Sequence, residues 1–476
     1  MKKYYLGIDL GSTTSKAVII DEKDQIIGRG ITNTRSNYEV AAELAKQAAI
    51  FNARFHLLQQ RLSGIMENRP EYRRYLDDLK DAFQFLQFRE RMEQLGSQFR
   101  ETLPAVASDS QQLREMQPLL DKIIEEILVE TKKDYLDHSL GGQSQFFRDI
   151  VAERYNAKVA ELPKQYFEPL MLLFDKSINP VENEILQFDF RALVDEAMNL
   201  INDQYAFLAE QPEEDRSLNF DAELNLLMGN YRKVSDSLEV HIDSVAKEAF
   251  HIANMVGTGY GRALLPFPED CIKSEILCHA FGAHAVFPNT RTVLDIGGQD
   301  TKAIQVDQYG LVTSFHMNDR CAAGCGRYLG YIADELSISL NELGPLALEA
   351  QKEVNICSTC TVFAGAELRE LLNVGEKRED ILAGLHRAIV MRAMSLLARS
   401  GGVRNEFTFT GGVARNQAVL RYVSDLVRKN YGQDLTINVH TDSIFMGALG
   451  GAMFARRSAE GLTTEQLEKN TASEVH

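Results

Sequence analysis

The 476-residue chain is long enough for two or three domains, and its composition, 45% hydrophobic and 25% charged, is that of a soluble globular protein. Its net charge of −17 argues against nucleic acid as a partner, because no basic patch would balance phosphate. The segment Met1–Tyr5 has no signal-peptide character and no apolar run approaches membrane-spanning length, so we expect a cytoplasmic protein without a membrane partner. Six cysteines in a chain of this length predict free thiols, catalysis or metal binding rather than a disulfide framework.

The chain opens with a strand, a glycine turn and a second strand: Leu6-Gly7-Ile8-Asp9-Leu10-Gly11-Ser12-Thr13-Thr14-Ser15-Lys16, followed by Ala17–Ile20. Such a hairpin presents backbone N–H groups and hydroxyls to an anion, and a carboxylate beside it can hold a water on Mg²⁺. We therefore predict that Asp9 holds hydrated Mg²⁺. We predict that the phosphates of ATP or ADP contact the rest of the turn, namely Gly11, Ser12, Thr13, Thr14 and Lys16. The alternative for the lysine is a solvated strand end.

Residues 36–245 differ from both flanks, because they hold five of the 32 glycines and a net charge of about −15, from 38 acidic and 23 basic side chains. Apolar residues at three- and four-residue spacing predict helices over Glu39–Leu62, Tyr72–Phe99 and Gln111–Lys133. Prolines punctuate the region at positions 70, 104, 118, 163, 169 and 180. We predict an all-helical insertion, used for packing or partner docking, with an acidic end over Val181–Asn230 that is a solvated surface rather than a metal site. The first lobe of an α/β domain would then comprise 1–35 and 246–290, and the second lobe 291–476.

A second strand and turn, Val293-Leu294-Asp295-Ile296-Gly297-Gly298-Gln299-Asp300-Thr301-Lys302, repeats the order of the first. One Asp-x-Gly turn is more often structural than functional. Two matched copies predict two related lobes that grip one nucleotide. We predict that Asp295 shares the Mg²⁺ with Asp9 and that Gln299 orients the attacking water. Further phosphate contacts are predicted for Gly297, Gly298, Thr301 and Lys302, the last with a solvated strand end as its alternative.

Two more elements follow near the C-terminus. The stretch Phe407-Thr408-Phe409-Thr410-Gly411-Gly412-Val413-Ala414-Arg415-Asn416 predicts a strand, a Gly-Gly turn and a helix, and paired glycines let backbone approach a flat or phosphorylated ligand. We predict nucleotide contacts from Gly411, Gly412 and Asn416. The segment Asp442–Ala452 predicts a small-residue helix for close packing. This ordered set resembles the actin, Hsp70 and sugar-kinase superfamily, which implies a two-lobed, ribonuclease H-like α/β fold; the P-loop pattern is absent.

Four cysteines form two motifs, Cys321-Ala322-Ala323-Gly324-Cys325 and Cys357-Ser358-Thr359-Cys360, each leading into a predicted helix. Helix N-termini stabilise thiolates and anionic clusters. The residues leave three possibilities open: a redox disulfide at the C-x-x-C, a zinc site made by all four thiolates, or an iron–sulfur cluster. We predict that Cys278 is a buried small hydrophobic residue and that Cys271 is incidental. We expect no metal role for His279, His284 or His316.

The stretches Thr258-Gly259-Tyr260-Gly261-Arg262, Asp295–Asp300, Asn318–Tyr328 and Ser358–Ala364 resemble the ATPase activators of 2-hydroxyacyl-CoA dehydratases. They resemble equally the ATPase subunits of ATP-dependent benzoyl-CoA reductase. The resemblance implies one 4Fe–4S cluster at a two-fold subunit interface, with Cys321 and Cys360 as the ligands from this chain. Cys325 stands where the dehydratase activators usually have another residue, and Cys357 neighbours the matched ligand, so both are expected to be structural or to lie behind the ligands.

The same resemblance implies that reduced ferredoxin charges the cluster and that ATP hydrolysis drives the electron to a catalytic iron–sulfur acyl-CoA reductase. The long insertion, which opens with Asn33–Val40, resembles the larger ATPase subunit of class I benzoyl-CoA reductase. We therefore expect the cluster partner to be a smaller paralogous ATPase subunit, with a second copy of this chain as the alternative. Two other functions remain open: a dehydratase activator, and a sugar- or acetate-type kinase with incidental cysteines.

Overall fold

The computed structural model of the chain describes residues 2–34, 37–136, 146–210, 222–259, 265–318, 326–336, 338–352, 354–356 and 361–461, without the side chains of 361 and 362. It divides into two compact units, one formed by Met1–Ile50 with Phe250–His476 and the other by Phe51–Ala249.

The first unit contains two sheets, and the first of these is built from the N-terminal segment. Strands β1 (Tyr4–Leu10), β2 (Thr14–Ile20) and β3 (Ile26–Asn33) form an antiparallel meander, and β4 (Ile252–Gly259) joins β1 in parallel, so the order is β3-β2-β1-β4. Strand β1 is buried along its whole length, which is why it is a continuous apolar run rather than an alternating one.

The second sheet repeats this order with one strand added. Strands β5 (Thr292–Ile296), β6 (Thr301–Val306) and β7 (Val312–Asn318) are antiparallel neighbours. Strand β8 (Phe407–Thr410) pairs in parallel with β5, and β9 (Ile437–Val439) pairs with β8. The resulting order, β7-β6-β5-β8-β9, matches the first sheet strand for strand up to β8. Two sheets with one topology confirm the expected two-lobed α/β architecture.

All regular secondary structure in the described part of the second unit is helical. Its helices are α1 (Tyr38–Met66), α2 (Pro70–Thr102), α3 (Ser110–Leu136), α4 (Phe147–Ala160), α5 (Lys164–Glu182), α6 (Phe190–Ala209) and α7 (Ala222–Ala246). Aromatic rings of α1, α2 and α6 form part of its core, with the Phe55 ring 5.3 Å from that of Phe83 and 5.7 Å from that of Phe190. The three helices predicted from spacing are present and extend a few residues beyond the predicted ends.

Two details of this region differ from the predictions. Three of the prolines lie inside helices, Pro118 in α3 and both Pro169 and Pro180 in α5, so they do not mark helix ends. The boundary also lies later than residue 36, because residues 38–50 of α1 belong to the first unit. A Cβ on Gly30 of β3 would lie 2.0 Å from the carbonyl oxygen of Ala45, so the alanine-rich start of α1 packs directly on the first sheet.

The remaining helices belong to the first unit. They are α8 (Glu275–Val286), α9 (Gly326–Leu336), α10 (Leu343–Leu348), α11 (Thr361–Asn373), α12 (Arg378–Ser400), α13 (Gln417–Tyr431) and α14 (Met446–Ala459). Within the described residues, α12 is the one helix long and apolar enough to cross a membrane, but 67% of its apolar window is buried inside the protein, as in the core helix of a soluble protein.

Helix α14 packs against the first sheet, although the division of the sequence assigned it to the second lobe. A Cβ on Gly7 of β1 would lie 1.9 Å from the carbonyl oxygen of Ala448, and one on Gly450 would lie 1.9 Å from that of Cys278 in α8. Small residues therefore let α14 approach β1 and α8 at backbone distance, as the composition of 442–452 predicted. Cys278 is fully buried in this contact, in line with its expected role as a small apolar residue.

Candidate functional site

The two glycine turns have the same geometry around one Asp–Lys pair each. In the β1–β2 register Asp9 lies opposite Lys16, and in the β5–β6 register Asp295 lies opposite Lys302. The lysine Nζ is 3.3 Å from Oδ2 of Asp9 in the first pair and 3.4 Å from Oδ2 of Asp295 in the second. The matched spacing in the sequence thus produces two matched ion pairs at the ends of two equivalent hairpins.

The parallel neighbour of each hairpin continues the match. Thr258 of β4 lies opposite Asp9, and Thr410 of β8 lies opposite Asp295. Each threonine is followed by a glycine with positive φ, +134° at Gly259 and +90° at Gly411. A Cβ on either glycine would lie 2.2 Å from the carbonyl oxygen of the residue after the aspartate, so only glycine allows this close approach of the strands.

The two turns face each other directly. A Cβ on Gly298 would lie 1.9 Å from Oγ1 of Thr13, so the backbone of the second turn contacts the side chain of the first. Thr34 fastens the first turn, because its N–H donates to the Thr13 carbonyl at 2.8 Å. Gln299 is half-buried in the second turn, and its side chain has no hydrogen-bond partner among the residues that the structure describes. The predicted phosphate and water-orienting residues Gly11–Lys16 and Gly297–Lys302 are therefore brought together.

A histidine for which no metal role was expected lies at the centre of this group. Helix α8 places Nδ1 of His279 at 3.1 Å from Oδ1 of Asp295 and its Nε2 at 3.9 Å from Oδ2 of Asp9. Glu275, one turn earlier, has Oε1 at 3.9 Å from the same Nε2. The signal in the sequence was the i, i+4 spacing of Glu275 and His279, which puts both on one helix face. This position of His279 was not predicted because only pairs of histidines were considered as metal ligands.

Lys302 is the hub of a buried ion cluster rather than a free phosphate-facing ammonium. Its Nζ lies 2.8 Å from both Oε1 of Glu275 and Oδ1 of Asp300, in addition to Asp295. Burial alone would lower the pKa of Lys302, but the three carboxylates raise it well above its usual range. The alternative of a solvated strand end is wrong for this residue, because its side chain is 1% exposed.

The pKa values of the acids around Lys302 shift in opposite directions. Burial would raise the pKa of Asp295, but His279 and Lys302 lower it far below its usual range, and the Thr410 hydroxyl adds a hydrogen bond at 2.8 Å. Burial raises the pKa of Glu275 despite the neighbouring Lys302. Burial would lower the pKa of His279, but Asp295 raises it. The site therefore holds Asp295 as a fully engaged carboxylate.

Asp9 is engaged less completely than Asp295. Its Oδ2 is near Lys16, whereas its Oδ1 is buried and has no hydrogen-bond partner in the part of the chain that the structure describes. A buried carboxylate oxygen without a partner is costly unless a cation or water satisfies it. The donor set around Asp9 therefore fits a divalent cation.

The loop after β8 is supported by its own side chains. Asn416 caps α13, because its Oδ1 accepts the Val419 N–H at 3.0 Å, and its Nδ2 is 3.1 Å from Nε2 of His386. His386 in turn has Nδ1 at 2.7 Å from the Leu382 carbonyl oxygen. The structure thus gives Asn416 a positioning role for the predicted nucleotide loop. A cavity of about 510 Å³ opens beside the loop, lined by Ala414, Arg415, Val439, His440 and Thr441.

Cys321, Cys325, Cys357 and Cys360 lie outside the described residues, but the helices that follow them are described. Helix α9 begins one residue after Cys325, and α11 begins one residue after Cys360. The first two N–H groups of α9, those of Gly326 and Arg327, donate to the carbonyl oxygens of Gly297 and Gly298 at 2.9 and 2.8 Å. The helix after the first cysteine motif is therefore attached to the second glycine turn.

The two helices also contact each other. A Cβ on Gly365 of α11 would lie 2.5 Å from the hydroxyl oxygen of Tyr331 in α9, so the helices cross closely at this glycine. Tyr331 donates to Glu335 at 2.9 Å, and Glu335 pairs with Arg369 of α11. The two helices are therefore joined by a close crossing and a side-chain network.

Two sheets of one topology, with matched Asp–Lys hairpins whose turns face each other, are the architecture of the actin and sugar-kinase fold. The chain belongs to the BadF/BadG/BcrA/BcrD ATPase family, whose model matches residues 6–455.

Named relatives of the chain come from both branches that the sequence resembles. It is 40% identical over 233 residues to the (R)-2-hydroxyglutaryl-CoA dehydratase activating ATPase of Acidaminococcus fermentans, covering 48% of this chain and 84% of the relative. It is 40% identical over 206 residues to the 2-hydroxyisocaproyl-CoA dehydratase activator of Clostridioides difficile, covering 43% and 74%. A benzoyl-CoA reductase subunit of Thauera aromatica is 32% identical over 176 residues, covering 37% and 62%.

Proposed function

We propose that this chain is an ATP-hydrolysing electron activator that passes single electrons through a subunit-bridging 4Fe–4S cluster to a catalytic acyl-CoA enzyme. One electron would leave reduced ferredoxin, which becomes oxidised, and would reduce the catalytic partner, while ATP and water become ADP and phosphate. The observation that carries the proposal is the attachment of α9 to the glycine turn through Gly326 and Arg327. A change at the phosphates would act directly on the helix that follows the first cysteine motif.

Asp9 is the residue we assign to the cation, because its buried Oδ1 lacks a partner among the described residues whereas Asp295 is saturated. Mg²⁺, when bound there, would neutralise part of the phosphate charge. Gln299, whose amide is free of described partners, would orient the attacking water. The glycine turns would supply backbone N–H groups to the phosphates. Lys302 and Asp295 would hold the second hairpin in shape and would not touch the nucleotide.

Cys321 and Cys360 are the proposed cluster ligands in this chain. A 4Fe–4S cluster takes four thiolates, so two ligands from this chain require two more from a partner, either a smaller paralogous ATPase subunit or a second copy. Bound there, the cluster would serve as a one-electron carrier. The start of α11, directly after the second cysteine motif, supports the proposal, since helix N-termini favour anionic clusters.

The cluster is tested by anaerobic purification with iron and sulfide analysis. We expect about four iron atoms per pair of subunits, and a loss of iron in Cys321→Ala and Cys360→Ala. Cys357→Ala is the matched control, because it removes a thiol from the same motif and should retain the iron. Intact, anaerobically prepared protein without iron would contradict the proposal.

For the electron acceptor, the relatives favour a 2-hydroxyacyl-CoA dehydratase over the benzoyl-CoA reductase that the long insertion suggested. Two dehydratase activators are 40% identical to the chain, whereas the benzoyl-CoA reductase subunit is 32% identical over a shorter stretch. Benzoyl-CoA reductase remains the second candidate because of that relative. Identifying the subunits that co-purify anaerobically, followed by an assay for ATP-dependent dehydration or ring reduction, separates the two.

A kinase of the same fold is a different outcome of the same experiments. Iron-free protein that transfers phosphate to a sugar or to acetate would support it. Family membership argues against this alternative, because the matched family is one of ATPases.

A further inference from the structure

Three potential metal-binding side chains converge at the first hairpin. A carboxylate oxygen of Asp9, one of Glu275 and a ring nitrogen of His279 all lie within 4.8 Å of one another. Nε2 of His279 is 3.9 Å from an oxygen of each acid. Ligands at about 2.1 Å from a tetrahedral cation lie about 3.4 Å apart, so the two distances from His279 are about 0.5 Å too long for such a set, and the separation of the two acids is too long by at most about 1.4 Å.

The imidazole of His279 is oriented from behind. Its Nδ1 is 3.1 Å from Oδ1 of Asp295, and the Thr410 hydroxyl donates to that same oxygen at 2.8 Å. Histidines that bind metals commonly have one nitrogen near a carboxylate and the other on the ion. Here the 3.1 Å approach of Nδ1 is an ion-pair distance and does not have the alignment of a hydrogen bond. The Asp295–His279 contact leaves Nε2 directed toward Asp9 and Glu275.

Space for an ion is kept open by a glycine of α14. A Cβ on Gly447 would lie 2.7 Å from Nε2 of His279 and 3.0 Å from Oδ2 of Asp9, so any side chain at this position would fill the gap between the two ligand atoms. The other oxygen of this carboxylate, Oδ1 of Asp9, is buried and has no partner among the described residues, so Lys16 satisfies the carboxylate only in part.

The balance of charge points the same way. Four carboxylates, those of Asp9, Glu275, Asp295 and Asp300, surround two ammonium groups, those of Lys16 and Lys302. The carboxylates outnumber the ammonium groups by two in a largely buried place, or by one when His279, whose pKa Asp295 raises, carries a proton. A bound divalent cation would cancel the excess negative charge, which is the usual condition for burying charges together.

We propose that Asp9, Glu275 and His279 bind one divalent cation directly, through two carboxylate oxygens and one imidazole nitrogen. The inference rests on the proposed function, because it concerns the cation at the nucleotide hairpin. A nitrogen ligand suits Mn²⁺, Fe²⁺ or Zn²⁺ better than Mg²⁺, which prefers oxygen ligands and retains its waters. In the chain without nucleotide, the site therefore selects a first-row transition-metal ion over Mg²⁺.

The test uses Mn²⁺ and the metal-free full chain without nucleotide. We expect one Mn²⁺ per chain, with a ¹⁴N coupling from the histidine in pulsed electron paramagnetic resonance, and Mg²⁺ should compete at least tenfold more weakly. His279→Gln should remove the coupling and weaken Mn²⁺ binding at least tenfold. His284→Gln, on the same helix, is the matched control and should change neither. Gly447→Ala, which alters no ligand, should also weaken binding by filling the gap.

A wild-type spectrum without ¹⁴N coupling would overturn the inference, and so would unchanged Mn²⁺ affinity in His279→Gln. His279 would then be a charged bridge between Asp9 and Asp295. Nucleotide binding and ATP hydrolysis with Mg²⁺ are measured separately. ATP hydrolysis without the ¹⁴N coupling would contradict this inference and would be compatible with the proposed function. A ¹⁴N coupling in a protein that binds no nucleotide would support this inference and contradict the proposed function.

Discussion

The β1–β2 and β5–β6 hairpins have the same strand order, the same Asp–Lys register and a threonine at the same position of the parallel neighbour. They differ in how many contacts the aspartate makes. In the second hairpin, Asp295 contacts His279, Lys302 and Thr410. In the first, Asp9 contacts Lys16 through one oxygen and leaves the other unpartnered among the described residues. Lys302 is 1% exposed and Lys16 is 9% exposed.

The two copies of the Asp–Lys hairpin therefore need not have the same function. A carboxylate that is already saturated by a lysine, a histidine and a hydroxyl has no oxygen to offer to a cation. A carboxylate with a buried free oxygen is costly until something binds it. The second hairpin is therefore a rigid support, and the first is the half that binds. Four pairs of substitutions test whether the two hairpins differ in this way.

The largest effect is expected from the two lysines. Lys302→Met leaves Glu275, Asp295 and Asp300 without their shared ammonium, and breaking a buried ion pair costs about 3–5 kcal/mol. Lys16→Met removes one buried contact and leaves a single carboxylate, that of Asp9, without its ammonium, so it should cost the lower end of that range, about 3 kcal/mol. Denaturant unfolding of both variants measures the difference. Equal losses of unfolding free energy would show that the two hairpins are equivalent supports.

The two turns were predictable from the sequence, but this division of roles was not. Each aspartate and its lysine are close in sequence, so spacing alone predicted two matched turns, although it predicted phosphate contacts rather than ion pairs for Lys16 and Lys302. The ion pairs of Lys302 include one with Glu275, which lies on helix α8 and not on the hairpin. No periodicity in the sequence predicts such a contact.

Other parts of the structure follow the same rule. The helices over 39–62, 72–99 and 111–133 were predictable because their apolar spacing is local. Pro118 was misjudged because packing can hold a proline inside a helix against its local preference. Asn416 was assigned to the nucleotide because a Gly-Gly-x-x-x-Asn pattern does not reveal that the amide will cap α13.

The second-largest effect concerns His386, which supports the loop after β8 on the same side as the rigid hairpin. Burial lowers the pKa of His386 to about 4, from an ordinary value of 6.5. Above pH 6.5 both folded and unfolded states are neutral and stability is complete. As pH falls from 6.5 to 4 the unfolded chain takes up a proton that the folded chain excludes, which removes about 3 kcal/mol of stability.

His386→Gln should abolish that part of the pH dependence, measured as the free energy of unfolding at pH 7 and at pH 4.5. The exposed His251→Gln is the control and should keep the wild-type slope. If His386→Gln retained the slope, the loop after β8 would not depend on a neutral histidine.

The third pair of substitutions replaces each of the two aspartates by asparagine. Asp9→Asn should lower ATP hydrolysis about a hundredfold, because the carboxylate that we assign to the cation loses its charge. Asp295→Asn should instead act mainly on the fold, since it weakens three contacts and breaks the Lys302 cluster. Phosphate release and denaturant unfolding, measured on both variants, give a crossed pattern if the roles differ. A larger loss of stability in Asp9→Asn than in Asp295→Asn would reverse the assignment.

The smallest effect is expected from the two threonines that flank the hairpins. Thr410 donates to the ionised Asp295, and a hydrogen bond to a charged group contributes about 1.5–3 kcal/mol, so Thr410→Val should cost about 2 kcal/mol. Thr258 donates at 3.0 Å to the Lys273 carbonyl oxygen, a neutral acceptor, so Thr258→Val should cost about 1 kcal/mol. Both substitutions keep the shape of the side chain and remove only the donor, so the difference in unfolding free energy isolates the charge of the acceptor.

Because Thr410 also holds the carboxylate next to His279, Thr410→Val should weaken Mn²⁺ binding, whereas Thr258→Val should leave it unchanged. Equal effects of the two substitutions on Mn²⁺ affinity would mean that the second hairpin does not orient the site on the first.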